Sequence, residues 1–434
     1  MERIDGMKKF DVIVIGGGPS GLMAAIAAAE QGAKVALLDK GDKLGRKLGI
    51  SGGGRCNVTN NKEIDALITY IPGGGRFLYS AFSLFSNRDI IAFFENLGIA
   101  LKEEDNGRMF PVSDKAKTVV DALIGKARAL GVRLLVHHPV GALEYGTDRV
   151  RGVKLASGET LLAASVIVAT GGKSVPHTGS TGDGYPWATA AGHTITELYP
   201  TEVPIVSREP FIQNRELQGL SLRDVELSVL NVKDKPAVSH RGDMLFTHFG
   251  LSGLIALRCS GFIRGVKQKN GGADVTMAID LFPGEKAGEL EIRLRQMAAA
   301  EPKKALKNVF KGTLPERLLP LLFERAGLAA DTTYEHLPKE PWQQFVAVLK
   351  NFTLKVTGTR PFEEAFVTGG GVNLKEVDPR TMGSKLMSGL YFCGEILDIH
   401  GYTGGYNITA AFATGYTAGH HAGLAALESG GRDA

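Results

Sequence analysis

The stretch VIVIGGGPSGLMAAIAAAEQGAKVALLDK, residues Val12–Lys40, decides the fold of the amino-terminal part of this chain. A short apolar, β-branched run over Asp11–Ile15 ends at glycines, and apolar residues at helical spacing follow it. This pattern predicts a buried strand, a tight turn and a helix that ends at Gly32, with a second strand over Lys34–Leu38. The stretch therefore predicts the first βαβ unit of a Rossmann-like α/β domain.

The turn of this unit has the spacing G-x-G-x-x-G, at Gly16, Gly18 and Gly21. The first glycine permits the turn, the second lets backbone amides reach a pyrophosphate, and the third lets the helix pack on the sheet. The amino terminus of the helix offers unpaired N–H groups and a positive dipole end to phosphates. Asp39 closes the second strand, where an acidic side chain binds a ribose. We therefore predict dinucleotide binding, with an unphosphorylated ribose as in FAD or NAD.

Later segments bear on which dinucleotide is bound. The first is GRKLGISGGGRCNVTN, Gly45–Asn60, whose glycines offer many N–H donors and whose Arg46, Lys47 and Arg55 add positive charge. Such a loop suits a second pass along a pyrophosphate or the polar edge of an isoalloxazine ring. The alternative is a flexible surface loop, which the polar residues at the end of the run do not favour.

Two further segments end a buried strand in glycines. The strand Val166–Ala169 breaks at Thr170 and two glycines, a common way to bring the chain back over a flavin nucleotide. The strand Leu390–Cys393 is followed by Gly394 and Glu395, and then by a small-residue helix. If that helix points its amino terminus at the flavin, its dipole stabilises the reduced anionic form. The alternative is an ordinary packing helix.

The order of these segments resembles that of the two-dinucleotide-binding-domain flavoproteins. Over nearly its whole length the chain is similar to the BaiN-like (YhiN) family of FAD-dependent oxidoreductases. The matching stretches are SGGGRCNVTN, MLFTHFGLSG, FVTGGGVNLKEVDPRTMGSK and YFCGEILDIHGYTGGYN. The resemblance implies FAD bound by the amino- and carboxyl-terminal parts together, with Glu395 in the ribitol-side place that aspartate often holds in other flavoproteins.

The mode of cofactor attachment also follows from the resemblance. Related fumarate reductases often attach flavin through a histidine of the early loop, and Gly45–Asn60 contains no histidine. We therefore expect non-covalent FAD. No second strand–GxGxxG–helix unit occurs in the sequence, so NAD(P)H is expected only as a transient electron donor.

The residues expected to bind FAD come from these segments, with Val140 as a further residue of the same domain. They are Gly16, Gly18, Pro19, Ser20, Gly21, Asp39, Lys40, Arg46, Lys47, Ser51, Gly52, Gly53, Arg55, Cys56, Asn57, Val140, Ala169, Thr170, Gly171, Gly394, Glu395, Asp398, Gly404, Gly405, Tyr406, Asn407 and Ile408.

The middle of the chain has a different pattern. Residues 201–283 alternate apolar and polar side chains between turns, and residues 284–350 have helical spacing. We therefore predict an α/β protein whose FAD-binding domain is discontinuous, with parts at residues 1–200 and 351–434. It carries an inserted β-barrel-like subdomain and an inserted helical subdomain.

Two side chains are candidates for catalysis. Arg55 would stabilise reduced flavin or bind an anionic substrate group, and His400, in a loop expected near the flavin ring, would donate a proton. Cys56 suggests a redox thiol, but no partner cysteine lies near it in the sequence. No carboxylate or cysteine cluster accompanies the pair His420-His421, so we expect no metal site.

Composition narrows the function further. The chain has 434 residues, 44% hydrophobic and 22% charged, which is typical of a globular protein of two or three domains. The sequence contains no apolar run long enough to span a bilayer, so we expect no membrane partner. None of its three cysteines is part of a CxxC pair, so we expect a protein of the reducing cytoplasm. The prediction is an FAD-dependent oxidoreductase that acts on a small organic molecule by hydride transfer through flavin N5, with NAD(P)H as donor.

Two alternatives remain at this level, and the oligomeric state stays open. The family resemblance implies substrates that include uridine in ribosomal RNA, which would make the chain a dihydrouridine synthase. The net charge of +4 permits an RNA partner without selecting one. The other alternative is a flavin-binding redox sensor that has no turnover.

Overall fold

The computed structural model describes residues 9–430. Among these residues the chain forms two compact units. The first comprises the chain up to Tyr199 and again from Phe366 onward, and the second is Pro200–Ala365. None of the helices in residues 9–430 has the length and apolar content needed to cross a bilayer.

Residues 9–430 form the following strands and helices, given in chain order. The strands are β1 (Lys9–Ile15), β2 (Val35–Leu38), β3 (Thr59–Asn60), β4 (Leu101–Glu104), β5 (Arg108–Pro111), β6 (Arg133–Leu135), β7 (Val140–Tyr145), β8 (Val150–Leu155), β9 (Thr160–Val168), β10 (Tyr199–Thr201), β11 (Ile205–Val206), β12 (Ser221–Leu230), β13 (Pro236–Phe246), β14 (Gly250–Ser252), β15 (Val275–Asp280), β16 (Phe352–Val356), β17 (Gly358–Thr359), β18 (Val367–Gly369) and β19 (Leu390–Phe392). The helices are α1 (Pro19–Glu30), α2 (Arg46–Ile50), α3 (Ile64–Thr69), α4 (Tyr79–Leu84), α5 (Asn87–Asn96), α6 (Ala116–Ala129), α7 (Gly184–Ala190), α8 (Pro210–Gln213), α9 (Leu254–Lys269), α10 (Ala287–Ala300), α11 (Leu306–Val309), α12 (Leu319–Ala326), α13 (Lys339–Lys350) and α14 (Tyr406–Gly430).

A central, mostly parallel sheet organises the first unit. Its strand order is β6-β2-β1-β9-β8-β7, and β19 pairs with β9 in parallel at Val166–Val168. Strands β6, β2, β1 and β9 are also parallel, whereas β7 and β8 form an antiparallel extension. Val12, Ile13 and Val14 are fully buried, as expected for a parallel strand covered on both faces. The predicted Rossmann-like α/β fold is therefore confirmed.

Helices α1 and α14 join the two ends of the chain in this unit. A Cβ atom on Gly415 would lie 2.3 Å from the Ser20 carbonyl oxygen, and one on Gly419 would lie 2.1 Å from that of Ala24. Only glycine permits such close backbone contact between helices. The contact brings the carboxyl-terminal helix against the helix that begins at the glycine turn.

The second unit contains an antiparallel sheet with the strand order β16-β15-β12-β13-β14-β11-β17. Its two edge strands, β16 and β17, come from one segment, Phe352–Thr359, which pairs with β15 at one end and with β11 at the other. The sheet therefore curls on itself like a barrel. Helices of the same unit pack around Trp342 and Phe345, which are fully buried.

Two details of the predicted insert need correction. The sequence placed the return to the first domain at residue 351, but β16 and β17 belong to the sheet of the second unit, which extends to Ala365. In addition, the β segment 201–283 contains the helix α9, whose Ile255, Cys259 and Ile263 are buried at helical spacing. The segment FTLKV, with its buried alternate residues, returns to the sheet after the helical segment. A division of the chain into one β block followed by one helical block does not detect this return.

Candidate functional site

The glycine turn between β1 and α1 is closed on one side and open on the other. A Cβ on Gly16 would lie 2.4 Å from the Ala169 carbonyl oxygen, and one on Gly21 would lie 1.8 Å from that of Gly16. A Cβ on Gly18 would meet nothing within 4 Å. Helix α1 begins at Pro19, and no side chain caps it. The turn therefore leaves room for a ligand beside Gly18, at a helix terminus whose polarity suits an anion.

Asp39 is fixed next to this turn by the backbone. The Gly17 N–H donates to Asp39 Oδ2 and the Gly41 N–H to Oδ1, each at 2.7 Å. The carboxylate keeps further lone pairs for a hydroxyl donor such as a ribose. The segment that leads to Val140 lies alongside, because the His138 N–H donates to the Asp39 carbonyl at 2.9 Å.

Two predicted basic residues near the turn have protein partners. Lys40 Nζ bonds to the Thr181 hydroxyl and, at 2.5 Å, to the Asp183 carboxylate, while Arg46 pairs with Asp42. All four ion-pairing side chains are partly exposed, so the two pairs contribute little stability and leave Lys40 and Arg46 available to a stronger anionic partner.

The early loop packs against the start of α14. A Cβ on Gly52 would lie 2.9 Å from the backbone nitrogen of Asn57, whereas one on Gly53 would meet nothing within 4 Å. Gly405 precedes α14 and lies so close to the loop that a Cβ there would be 2.9 Å from Asn57 Oδ1. That buried Oδ1 atom has no hydrogen-bond partner among residues 9–430. The loop and the helix start thus enclose an unsatisfied acceptor.

Glu395, which follows β19, is the centre of a hydrogen-bond network. Lys47 Nζ donates to Oε2 at 2.7 Å, and the Ser174 hydroxyl and the Thr368 N–H donate to Oε1 at 2.9 and 2.8 Å. Lys47 Nζ also donates to Ser174 Oγ at 2.7 Å. Segments far apart in the sequence therefore meet at one carboxylate. Sequence reasoning singled out Lys47 and Glu395 but missed Ser174 and Thr368, because single hydroxyl residues leave no pattern.

Small residues follow β9 and β19. Gly394 follows β19, and a Cβ on it would lie 2.4 Å from the hydroxyl of Ser20, which is buried. Ser20 is therefore a packing residue of α1. After β9, the buried Thr170 Oγ1 atom has no hydrogen-bond partner in the described part of the chain. Gly171, next to it, has φ 74°, so it adopts the left-handed conformation that favours glycine.

The start of α14 is held by its own side chains. The Asn407 amide accepts from the Gly401 N–H at 2.7 Å and donates to the Gly401 carbonyl at 2.8 Å. The Tyr406 ring stacks on Tyr70 with centroids 4.8 Å apart. These side chains serve the loop that precedes the helix. Contacts of FAD with Gly404, Tyr406, Asn407 and the half-buried Ile408 stay predictions.

His400 lies in a tight site rather than in an open loop. Its ring covers Gly73, where a Cβ would be 2.0 Å from Nδ1, and its Nε2 lies 3.3 Å from the Tyr199 hydroxyl. Burial lowers the pKa of His400, although the Asp398 carboxylate opposes this shift. The imidazole is therefore neutral at pH 7. This favours a hydrogen-bonding role over that of an imidazolium acid. Asp398 itself accepts from the Thr196 hydroxyl at 2.9 Å.

Arg55 is committed to partners that the sequence did not suggest. Its Nη1 and Nη2 atoms donate to the two carboxylate oxygens of Glu104 at 2.8 and 3.2 Å, and its guanidinium lies 4.2 Å from the Phe110 ring centroid. The hydrogen bond from Arg55 lowers the pKa of Glu104. The role expected of Arg55 toward flavin or an anionic substrate group stays a prediction, and the structure adds that the guanidinium already has an acidic partner. Glu104 lies in β4, too far along the chain for a local pattern to reveal the pair.

The cysteines are expected to be unreactive in the folded chain. Burial raises the pKa of Cys56 and of Cys393 to about 12 and also raises that of Cys259. Because the thiolate is the reactive form, we expect a disulfide-based thiol reagent at pH 8 to modify no cysteine until denaturant is added, and then all three. Rapid modification of Cys56 in the folded protein would restore the redox-thiol interpretation. Within residues 9–430, no group of His, Cys, Asp and Glu side chains is arranged to hold a metal ion.

Comparisons with known proteins identify the family of this chain. Residues 10–421 match the family described as the HI0933-like protein Rossmann domain. The chain is 32% identical over 406 residues to the ribosomal RNA dihydrouridine synthase of Haemophilus influenzae, covering 93% of this chain and 96% of that protein. It is 31% identical over 413 residues to the 3-dehydro-bile acid delta(4,6)-reductase of Clostridium scindens, covering 94% and 98%.

A solved structure has the same fold. The 3-ketosteroid delta1-dehydrogenase of Sterolibacterium denitrificans, in complex with 1,4-androstadiene-3,17-dione, superposes with a TM-score of 0.51 at 14% identity, covering 96% of this chain and 100% of that one. At this identity the likeness concerns the fold alone. The family match, which spans almost all described residues, and the two relatives above 30% identity show that the chain belongs to the HI0933-like family, which includes the BaiN-like proteins, and is an FAD-dependent oxidoreductase.

Proposed function

We propose that this chain reduces an organic substrate with hydride supplied by NADH or NADPH, using FAD held non-covalently at the carboxyl ends of the parallel strands of the first unit. The observation that carries the proposal is the convergence at that edge. The open glycine turn follows β1, Asp39 follows β2, Thr170 follows β9 and Glu395 follows β19. Ligands of open α/β sheets bind outside the carboxyl ends of the strands.

The residues at this edge suit the parts of a dinucleotide. When bound, FAD supplies a site at N5 that accepts and releases a hydride. The space beside Gly18, at the uncapped start of α1, suits the pyrophosphate. Asp39 suits ribose hydroxyls, and the buried unpaired atoms of Asn57 and Thr170 suit further polar groups of the cofactor. We propose that Lys47 and Glu395, fixed by their mutual ion pair of 2.7 Å, orient it.

The substrate class follows from what the names of the relatives have in common. One name describes reduction of a bile acid and the other describes formation of dihydrouridine. In both reactions a carbon–carbon double bond conjugated to a carbonyl gains a hydride and a proton, and the donor is oxidised. We therefore propose an unsaturated carbonyl compound as the substrate. If His400 takes part, its lowered pKa favours a hydrogen bond from the neutral imidazole over proton transfer from an imidazolium.

Ribosomal RNA is the second candidate substrate. The Haemophilus influenzae protein and its Escherichia coli counterpart, which is 32% identical to this chain over 411 residues, both carry the dihydrouridine synthase name. The basic side chains of RCSGFIRGVKQKN lie on α9, but Lys267 Nζ is bonded to the Thr357 carbonyl at 2.6 Å. Because Lys267 is engaged within the protein, the basic side chains of α9 give the RNA candidate only modest support. Reduction of a conjugated ketone by the enzyme, without activity on uridine-containing RNA, would separate the two candidates.

Anaerobic titration with NADH and then NADPH tests the proposed donor. We expect one nicotinamide to bleach the visible flavin bands with an equivalent amount of reductant, and an unsaturated ketone to restore them. The reason is that hydride passes from nicotinamide to flavin and from flavin to substrate. A flavin that stays oxidised with both nicotinamides, but is reduced by an organic substrate, would contradict the proposed direction and donor.

A further inference from the structure

One buried hydroxyl at the carboxyl edge of the central sheet has no role so far. Tyr185, the second residue of α7, is 6% exposed, and its hydroxyl makes no hydrogen bond within residues 9–430. A buried phenol normally finds a partner, because an unpaired hydroxyl loses its hydration without compensation. We infer that the Tyr185 hydroxyl hydrogen-bonds to bound FAD, an inference that rests on the proposed placement of FAD at this edge.

Tyr185 lies beside the groups that we propose to bind FAD. The preceding residue, Gly184, is so close to both strand ends that a Cβ on it would be 2.4 Å from Thr170 Oγ1 and 2.6 Å from Ile396 Cδ1. The Tyr185 ring lies against Gly182, where a Cβ would be 3.2 Å from Cδ2. Because Thr170 follows β9 and Ile396 follows β19, the start of α7 packs where two parallel strands end.

The surroundings favour a hydrogen bond donated by the Tyr185 hydroxyl. Burial raises the pKa of Tyr185, and the negative charges of Glu395 and Asp398 raise it further. The hydroxyl therefore keeps its proton and is available as a donor. Lys47 offsets the charge of Glu395, but the negative charge of Asp398 still disfavours a phosphate as acceptor. The partner is accordingly an uncharged oxygen or nitrogen atom of FAD.

The variant Tyr185→Phe tests this inference, because phenylalanine keeps the ring and removes only the hydroxyl. Flavin-free full-length protein is titrated with FAD, and thermal unfolding is followed without FAD and at saturating FAD. We expect the dissociation constant for FAD to rise roughly three- to tenfold. Without FAD, we expect the variant to unfold at the wild-type temperature or about 1–3 °C above it. The opposite signs identify a hydroxyl that is unpaired without FAD and paired with it.

Tyr145→Phe is the matched control, since the Tyr145 hydroxyl donates to the carbonyl of Trp187, in the same helix α7, at 2.7 Å. Its loss removes one of the two hydrogen bonds that this carbonyl accepts, since the Ala191 N–H also donates to it at 3.1 Å. We therefore expect Y145F to lower the unfolding temperature in both conditions and to leave FAD affinity unchanged.

Two results with Tyr185→Phe would overturn the inference. One is an FAD dissociation constant within about twofold of the wild type. The other is an unfolding temperature clearly below that of the wild type in the absence of FAD, since the hydroxyl would then have a partner other than FAD. Neither readout requires a nicotinamide or a substrate, so either failure is distinguishable from failure of the proposed reductase activity.

Discussion

Gly18→Ala is expected to leave the fold intact and to weaken FAD binding roughly a hundredfold, which is about 2.7 kcal/mol. Gly18 has φ −77° and ψ −175°, a conformation that alanine adopts without strain. The added methyl group would meet no protein atom within 4 Å. It would instead occupy the space beside the start of α1, which we propose for the pyrophosphate.

The measurement is an FAD titration of flavin-free protein, combined with circular dichroism to check the fold. Gly21→Ala is the contrasting variant, because its Cβ would lie 1.8 Å from the Gly16 carbonyl oxygen. We expect that variant to lose stability even without FAD. If Gly18→Ala binds FAD as tightly as the wild type, the cofactor does not approach this turn and the proposed site is wrong.

Gly419→Ala is expected to destabilise the first unit by about 3 kcal/mol, at the upper end of the usual cost of overpacking. Its Cβ would lie 2.1 Å from the Ala24 carbonyl oxygen. Because this neighbour is backbone, α1 and α14 must move apart. The shift would also disturb the glycine turn at the start of α1, so we expect weaker FAD binding as well.

Denaturant unfolding of flavin-free protein measures this effect. Gly125→Ala in the interior of α6 is the control, since a Cβ there meets nothing within 4 Å and the residue is exposed. Alanine favours a helix over glycine, so the control should gain about 0.5–1 kcal/mol. A Gly419→Ala variant as stable as the wild type would show that the two helices are not in this close contact.

The sequence revealed those parts of the molecule whose signal is local. The βαβ unit around Gly16 and Gly21 was predictable because a buried strand, a tight turn and a helix follow one another within a short stretch. The family resemblance drew attention to Glu395, and the positive charge of the early loop drew attention to Lys47. The structure adds that these two side chains form an ion pair of 2.7 Å, a distance that no sequence pattern gives.

The parts that sequence reasoning missed depend on contacts between distant residues. The partner of Arg55, Glu104, was missed because it lies on a strand that is adjacent only after folding. The insert boundary was misplaced because β17 reaches back to pair with β11. Tyr185 did not stand out, because an aromatic residue in a short helix looks like core until its hydroxyl is found without a partner.

Denaturation of the purified chain, followed by analysis of the released flavin, tests the central claim most directly. We expect intact FAD in the supernatant, in an amount equal to the protein, because no histidine in the early loop is available to attach it covalently. Absence of flavin, even after incubation of the folded protein with FAD, would contradict the claim that the first unit holds this cofactor. Flavin that stays with the precipitated chain would contradict non-covalent binding.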